Sequence, residues 1–315
     1  MTPEPPVPSN QNLTYLAFAN TGHDAAKPRA NESIRALPEL LCGRYRIDRL
    51  LGLGGMGAVY QARDLLREQF GEPEPYVALK VLNEELLAYP DANRLLHREF
   101  ALLSRLRHQH VVRPLGFEID PSSERGFLTL ELLKGHTLDQ LLDEHPEGLP
   151  WPALQEVALP LLDALQHAHA QGVLHGDIKP SNVMCSEHGI CLFDFGLGSA
   201  SSKLRRVCGK PLAAWTPRYA APELFEGASL GCTADIYAVS CLLYQLSRGW
   251  LPYRQLNAKQ ARAMQLQPDV PPGLPRAVWR ALRSGLAFEQ EKRCSLGELL
   301  GTFAAKPRGR WYPRW

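Results

Sequence analysis

The chain of 315 residues carries 35 basic against 33 acidic side chains, a formal net charge of +2, with 45% hydrophobic and 22% charged residues. Such a balance supplies no net field to draw a nucleic acid or a membrane surface, and the apolar share suffices for cores in about two packed units. Seven cysteines without a Cys-x-x-Cys pair exclude a disulfide framework and a zinc module, and no apolar run reaches the roughly 18 residues of a membrane span, so a reducing cytoplasmic setting is expected.

Residues 1–43 hold Pro, Asn, Ala and Thr without a sustained apolar period. Ordering each residue costs about 1–2 kcal/mol of backbone entropy, so this stretch is expected to be a flexible arm in which only the run 13–18 has apolar surface to dock. From Tyr45 the texture changes to short apolar runs at 45–51, 58–61, 76–81, 116–119 and 127–132, the pattern of a small antiparallel sheet. Between the third and fourth runs, Leu95, Leu96, Phe100, Leu103 and Leu106 recur at helical spacing and predict one amphipathic helix over 92–107. Beyond Gly135 the spacing predicts buried helices over 154–170, 233–248 and 277–288, with 268–275 as an interhelix loop. The architecture expected is α+β in two lobes: a β-rich front lobe at 44–132 with one helix, and a larger α-helical back lobe at 136–303. A tail at 304–315 mixes cations with Trp311 and Trp315, which suits an anionic surface, a partner protein or packing onto the back lobe.

Three groups of residues point to phosphate chemistry. In Leu51-Gly52-Leu53-Gly54-Gly55-Met56-Gly57, glycines 52, 54 and 57, with Gly55 between them, let backbone amides approach phosphate oxygens without a Cβ in the way. A dinucleotide fold would open a helix at this point, whereas Ala58-Val59-Tyr60 continues as a strand, which favours a flap over the phosphates. Val77-Ala78-Leu79-Lys80 sets a lysine inside an apolar strand, a costly position unless its ammonium meets a negative partner. Glu99 on the amphipathic helix is such a partner, and the pair would aim Lys80 at the α- and β-phosphates. Farther on come His175-Gly176-Asp177-Ile178-Lys179-Pro180-Ser181-Asn182 and then Asp194-Phe195-Gly196. Asp177 is the candidate general base or hydroxyl-orienting group, Asn182 and Asp194 are oxygen donors suited to magnesium, and Lys179 is within reach of a migrating phosphoryl group.

In order, spacing and type these motifs resemble the eukaryotic-like Ser/Thr protein kinases of bacteria, over about residues 45–303 and including Ala221-Pro222-Glu223. The resemblance implies a two-lobed protein kinase fold, ATP as phosphoryl donor, Mg2+ with Mn2+ as a substitute, serine or threonine residues of proteins as acceptors, and autophosphorylation. It also implies a signalling role opposed by a cognate protein phosphatase. By the same resemblance adenine lies between Leu51, Val59 and Ala78 above and Met184 below, with Leu130 as gatekeeper, and backbone groups of Glu131 and Leu133 read its edge. Glu223 is expected to pair with Arg293, and Asp235 to be the buried carboxylate that steadies the catalytic loop.

Small-molecule phosphotransferases also carry His-Gly-Asp. They usually lack a lysine two residues past the aspartate and the long segment, here 194–223, that ends in Ala-Pro-Glu. Thr216, just before that end, is expected to bond both Asp177 and Lys179 through its hydroxyl, as in Ser/Thr kinases. One departure stands out: the family commonly has arginine before the catalytic aspartate, to dock a phosphorylated residue, and this chain has Gly176. Activity is therefore expected not to require phosphorylation of the activation segment, with Ser199, Ser201, Ser202 and Thr216 as the positions open to modification. Lys203, Arg205 and Arg206 form either a solvated loop or a contact for acidic substrates. His167 and His169, two apart on a helix, point in different directions and do not make a metal site. A scaffold without activity is opposed by the presence of Lys80, Glu99, Asp177, Asn182 and Asp194 together.

Overall fold

The computed structural model describes residues 37–54, 57–87, 91–195, 206–207, 210–211 and 215–305. The expectations placed on 13–18, Gly55, Gly196, Ser199, Ser201, Ser202, Lys203, Arg205, the Arg206 side chain, Trp311 and Trp315 lie outside the described residues.

Alternation along one strand explains how the front lobe is built. The strands β1 (Leu40–Leu41), β2 (Tyr45–Gly54), β3 (Gly57–Asp64), β4 (Tyr76–Leu82), β5 (Pro114–Ile119) and β6 (Gly126–Glu131) form one antiparallel sheet in the order β1-β2-β3-β4-β6-β5. Successive side chains of a strand point to opposite faces. Val77, Leu79 and Val81 of β4 accordingly join an outer cluster with Leu41, Tyr45 and Phe127. Ala78 and Leu82 join the main core, which continues into the back lobe. Lys80 has the parity of Ala78 and Leu82, so the same alternation that builds two apolar layers turns its ammonium inward. The inner end of the arm expected at 1–43 needs correction, because Leu41 is fully buried and β1 pairs with β2. Apolar contact with Tyr45 and Phe127 offsets the ordering cost there.

Helices α1 (Leu65–Gln69), α2 (Glu84–Leu87) and α3 (Ala92–Leu103) complete this lobe. The amphipathic helix stops at Leu103 rather than 107. The Ser104 N–H donates to Phe100 O at 2.9 Å, and the chain then bends so that the Val112 N–H reaches Leu192 O at 3.0 Å. Leu106 stays buried in that bend.

The back lobe holds β7 (His136–Thr137), α4 (Leu138–Glu144), α5 (Trp151–Ala170), β8 (Val183–Ser186) and β9 (Gly189–Leu192), with β7, β8 and β9 pairing as a small sheet. It continues with β10 (Arg206–Val207), β11 (Lys210–Pro211), α6 (Pro222–Phe225), α7 (Cys232–Arg248), α8 (Ala258–Ala263), α9 (Arg276–Gly285) and α10 (Leu296–Ala304). Helix α7 is buried over most of its length and forms the axis of the lobe. Helix α9 ends at Gly285 instead of 288, and a Cβ on Gly285 would stand 2.1 Å from Ser240 Oγ of α7, so a larger residue there requires the Ser240 side chain to shift. Capping boxes start three helices, with Thr137 and Gln140 at α4, Asn257 and Gln260 at α8, and Ser295 and Glu298 at α10. Among the described residues no helix is long and apolar enough to cross a membrane.

Candidate active site

Helix α3 buries a stripe of Ala92, Leu96, Glu99 and Leu103, and Glu99 is the charged member. A carboxylate there needs a cation, and β4 supplies it. Lys80 Nζ donates to Glu99 Oε1 at 2.7 Å and Oε2 at 2.9 Å, and to Asp194 Oδ1 at 2.6 Å. Lys80 and Glu99 side chains are 9% and 3% exposed, whereas Asp194 is 29% exposed, so the cluster opens on the Asp194 side. Burial pushes the Lys80 ammonium down, but Asp194 and Glu99 outweigh it and hold the group well above the usual lysine range. Burial raises the Glu99 carboxyl, which also feels Asp194. Against its own burial, Asp194 is held below the usual carboxylate range by Lys80. Asp194 sits at φ 67°, a left-handed conformation costing about 1 kcal/mol or more for a non-glycine residue. Phe195 beside it is fully buried, with its ring 4.6 Å from that of His175.

The loop between α5 and β8 is held from below by Asp235 of α7. The Asp235 carboxylate accepts from the His175 N–H at 2.9 Å and the Gly176 N–H at 2.8 Å, and its Oδ2 lies 2.9 Å from His169 Nε2. His175 takes the next step outward: its Nδ1 accepts from the Asp177 N–H at 3.2 Å while Nε2 donates to Phe193 O at 3.0 Å. Both ring nitrogens are thus used by a neutral imidazole, and burial lowers its pKa. Asn182 Nδ2 donates to Asp177 O at 2.7 Å and lies 3.4 Å from Asp177 Oδ2. Lys179 Nζ lies 2.7 Å from Asp177 Oδ2 and donates to Thr216 Oγ1 at 3.1 Å. Thr216 meets Asp177 differently from expectation: its backbone N–H, not its hydroxyl, donates to Asp177 Oδ1 at 2.8 Å. The hydroxyl is taken by the Lys179 ammonium, and the peptide group is left to face the carboxylate.

Whether a divalent cation suits these residues is decided by one atom. Asn182 Oδ1 is buried and has no hydrogen-bond partner among the described residues, in a residue that is fully buried. An orphaned amide oxygen is costly unless something electropositive meets it. Hard oxygen donors such as this amide and the Asp194 carboxylate are what magnesium takes, so the residues fit the group.

Leu51, Ala78, Leu130 and Met184 are buried members of one apolar cluster, and Val59 and Leu133 pack against it. Of the five apolar residues expected around adenine, Ala78 lies opposite Leu130 across β4 and β6, while Leu51 on β2, Val59 on β3 and Met184 on β8 belong to or pack against the same continuous core. The Glu131 N–H is already committed to Arg113 O at 3.0 Å, while Leu133, in the coil after β6, makes no backbone–backbone hydrogen bond among the described residues. Gly52 pairs with Val59 and Gly54 with Gly57 across the β2–β3 flap. Gly57 has a second reason to be glycine, since a Cβ there would stand 1.9 Å from Val81 O.

Away from the cleft, Arg293 and Glu223 form a bidentate pair at 2.6 and 2.8 Å. The pairing of His169 with Asp235 is a contact sequence reasoning missed. His169 and His167 do face different ways, since the His167 ring stacks on His108 at 5.0 Å.

The family described as Protein kinase domain matches residues 45–302. The chain is 33% identical over 268 residues to the serine/threonine-protein kinase PknH of Mycobacterium bovis, covering 82% of this chain and 43% of that protein. It is 36% identical over 260 residues to the serine/threonine-protein kinase PknE of the same organism, covering 80% and 44%. The chain thus spans less than half the length of these two relatives. The crystal structure of the Mycobacterium tuberculosis PknI kinase domain superposes with a TM-score of 0.63 at 26% identity, covering 85% of this chain and 98% of that one.

Proposed function

This chain belongs to the protein kinase family, and on that premise we propose that it transfers the γ-phosphoryl group of ATP to serine and threonine hydroxyls of other proteins. The observation that carries the reading is the convergence, on one cleft, of the Lys80–Asp194 contact at 2.6 Å and the Asp177–Lys179 contact at 2.7 Å. One holds a cation from the front lobe against a carboxylate from the back lobe, and the other pairs a base with a cation beside it.

In this reading the apolar cluster of Leu51, Val59, Ala78, Leu130 and Met184 holds adenine, and the peptide groups of Glu131 and Leu133 orient it. Lys80, fixed by Glu99, binds the α- and β-phosphate oxygens. Asn182 and Asp194 hold a magnesium ion, which manganese can replace and which when bound neutralises charge on the phosphates. Asp177 accepts the hydrogen bond of the incoming hydroxyl and lines its oxygen up with the γ-phosphorus. The new O–P bond forms as the bond to the β–γ bridging oxygen breaks; ADP leaves, and the hydroxyl proton passes to Asp177. Lys179 faces the oxygens of the group in transit. Thr216, bonded to both Asp177 and Lys179, ties this centre to the segment that receives the substrate, which favours a polypeptide acceptor over a small alcohol.

The free thiols of Cys42, Cys185, Cys191, Cys232, Cys241 and Cys294 support a reducing cytoplasmic setting. A protein phosphatase would reverse the modification. Gly176 offers no guanidinium to dock a phosphate, so the segment after Asp194 does not need to be phosphorylated for turnover. The deciding experiment incubates the protein with γ-labelled ATP, magnesium or manganese and a proteome extract, beside Asp177→Asn. Labelled phosphoserine and phosphothreonine in protein are expected with the intact chain only. Equal labelling by both chains, or label confined to small molecules, would overturn the reading.

A further inference from the structure

The segment that carries Thr216 runs on into a basic surface that the transfer chemistry does not use. Arg218, two residues past Thr216, is half-buried and donates from Nη2 to Gln255 Oε1 in the loop after α7. In that loop Trp250 supports two more guanidinium groups, with Arg248 Cζ 4.5 Å and Arg254 Cζ 4.4 Å from the ring centroid. Arg254 is exposed and sits at φ 58°, so a non-glycine residue is held in the left-handed region to reach the ring. Arg248 Nε is buried with no hydrogen-bond partner among the described residues. Among the described residues no carboxylate, that of Asp269 included, comes within ion-pair distance of any of these three arginines. Nearby Arg262, by contrast, is paired with Glu226 at 2.9 Å.

A basic residue in the last turn of a helix complements the helix dipole, and that accounts for Arg248 by itself. It does not account for Arg254, brought onto the same indole by a strained turn, or for Arg218, bonded into the same loop. Like charges gathered on one aromatic support repel each other, and their planar forks keep N–H groups that no acceptor among the described residues uses. Carboxylates match that fork geometry and charge.

We propose that Arg218, Arg248 and Arg254, supported by Trp250, form a docking surface for acidic residues that flank the acceptor serine or threonine of a protein substrate. The word substrate rests on the kinase reading, whereas capture of an acidic peptide does not. The surface lies next to the transfer centre because Arg218 follows Thr216, whose N–H is bonded to Asp177. Each exposed charge pair contributes little alone, so selectivity comes from several carboxylates engaging the cluster together, and it weakens as salt is raised.

The test uses three peptides with one serine, flanked by Glu and Asp, by Gln and Asn, or by Lys. Their binding is read by fluorescence anisotropy and their phosphorylation by steady-state kinetics. The acidic peptide is expected to bind about tenfold more tightly than the neutral one, with kcat within about twofold. Arg254→Gln should raise KM for the acidic peptide about 3- to 5-fold and leave the neutral peptide unchanged. Arg254→Gly, which relieves the strained backbone while removing the charge, should match Arg254→Gln. Arg254→Glu should reverse the order, so that the Lys-flanked peptide binds better than the acidic one. Equal binding of acidic and neutral peptides, or indifference of the acidic peptide to Arg254→Glu, would overturn the proposal. A phosphoserine-flanked peptide that bound more than about tenfold tighter than the acidic one would also overturn it, by reassigning the surface to phosphorylated segments. If no peptide is phosphorylated the kinase reading fails, and the binding measurements still decide the docking surface.

Discussion

The cluster at Lys80 and the pair at Arg293 both place charge in apolar surroundings, yet they are satisfied to different degrees. Arg293 gives Nη1 and Nη2 to the Glu223 carboxylate, and it also reaches Thr233 O, Phe288 O and Ala287 O at 2.9, 3.1 and 2.8 Å. Its side chain is fully buried and its donors are used, so nothing further can be bound there. Lys80 is one ammonium shared by two carboxylates, one of them 29% exposed, and Asn182, which accepts from the Phe193 N–H next to Asp194, keeps an amide oxygen with no partner among the described residues. A closed charge network holds shape, and an open one is ready to exchange partners. That contrast separates a structural site from a functional one more sharply than burial does.

The contrast can be broken first at the centre of the open site. Asp177→Asn should lower kcat by about 10²- to 10⁴-fold in a phosphorylation assay, the usual range for losing a positioned acid–base group. Its urea unfolding should stay close to that of the intact chain. Arg293→Met should do the reverse. Leaving Glu223 buried without its cation is expected to cost about 3–5 kcal/mol of stability in urea titration, with activity per folded molecule largely kept. If Arg293→Met stays as stable as the parent, the closed pair does not hold the back lobe together.

A smaller effect sharpens the link between the two regions. His175 is neutral in the fold and its pKa is lowered, chiefly by burial, against the pull of Asp235, Asp177 and Asp194. Because the unfolded chain binds this proton more readily, stability is fully present above about pH 6.5 and falls on acidification, by up to about 1.4 kcal/mol per pH unit. His108, also lowered, acts with the same sign. Unfolding between pH 7 and 5 should therefore show a steeper loss for the intact chain than for His175→Gln, and parallel curves would remove His175 from this role. The smallest effect concerns Gly176: replacing Ser199, Ser201 and Ser202 together by alanine should leave turnover within about twofold, and loss of activity with the fold intact would refute independence from phosphorylation there.

Much of this arrangement is legible in the sequence because it rests on periodicity. The alternation through β4 fixes which way Lys80 points, and the helical stripe of α3 sets Glu99 opposite it. The signatures around Asp177 and Asp194 are local strings that need no tertiary knowledge to find. Capping boxes at Thr137, Asn257 and Ser295 were equally local signals for α4, α8 and α10, and sequence reasoning passed them over. Other features depend on contacts between distant segments. The use of Thr216 by its amide, the left-handed Asp194 and the bond from His169 to Asp235 are set by how β9, α5 and α7 meet, which no window of residues contains. The short helix α1 lacks a buried face, so no apolar period announces it.

Position 57 shows how such double duty clouds inference. Since a methyl group there collides with the Val81 carbonyl, saturation mutagenesis will find the site intolerant whatever the nucleotide does. A dead variant at Gly57 carries no information about ligand contact, and maps of nucleotide dependence drawn from mutational tolerance should leave that residue out.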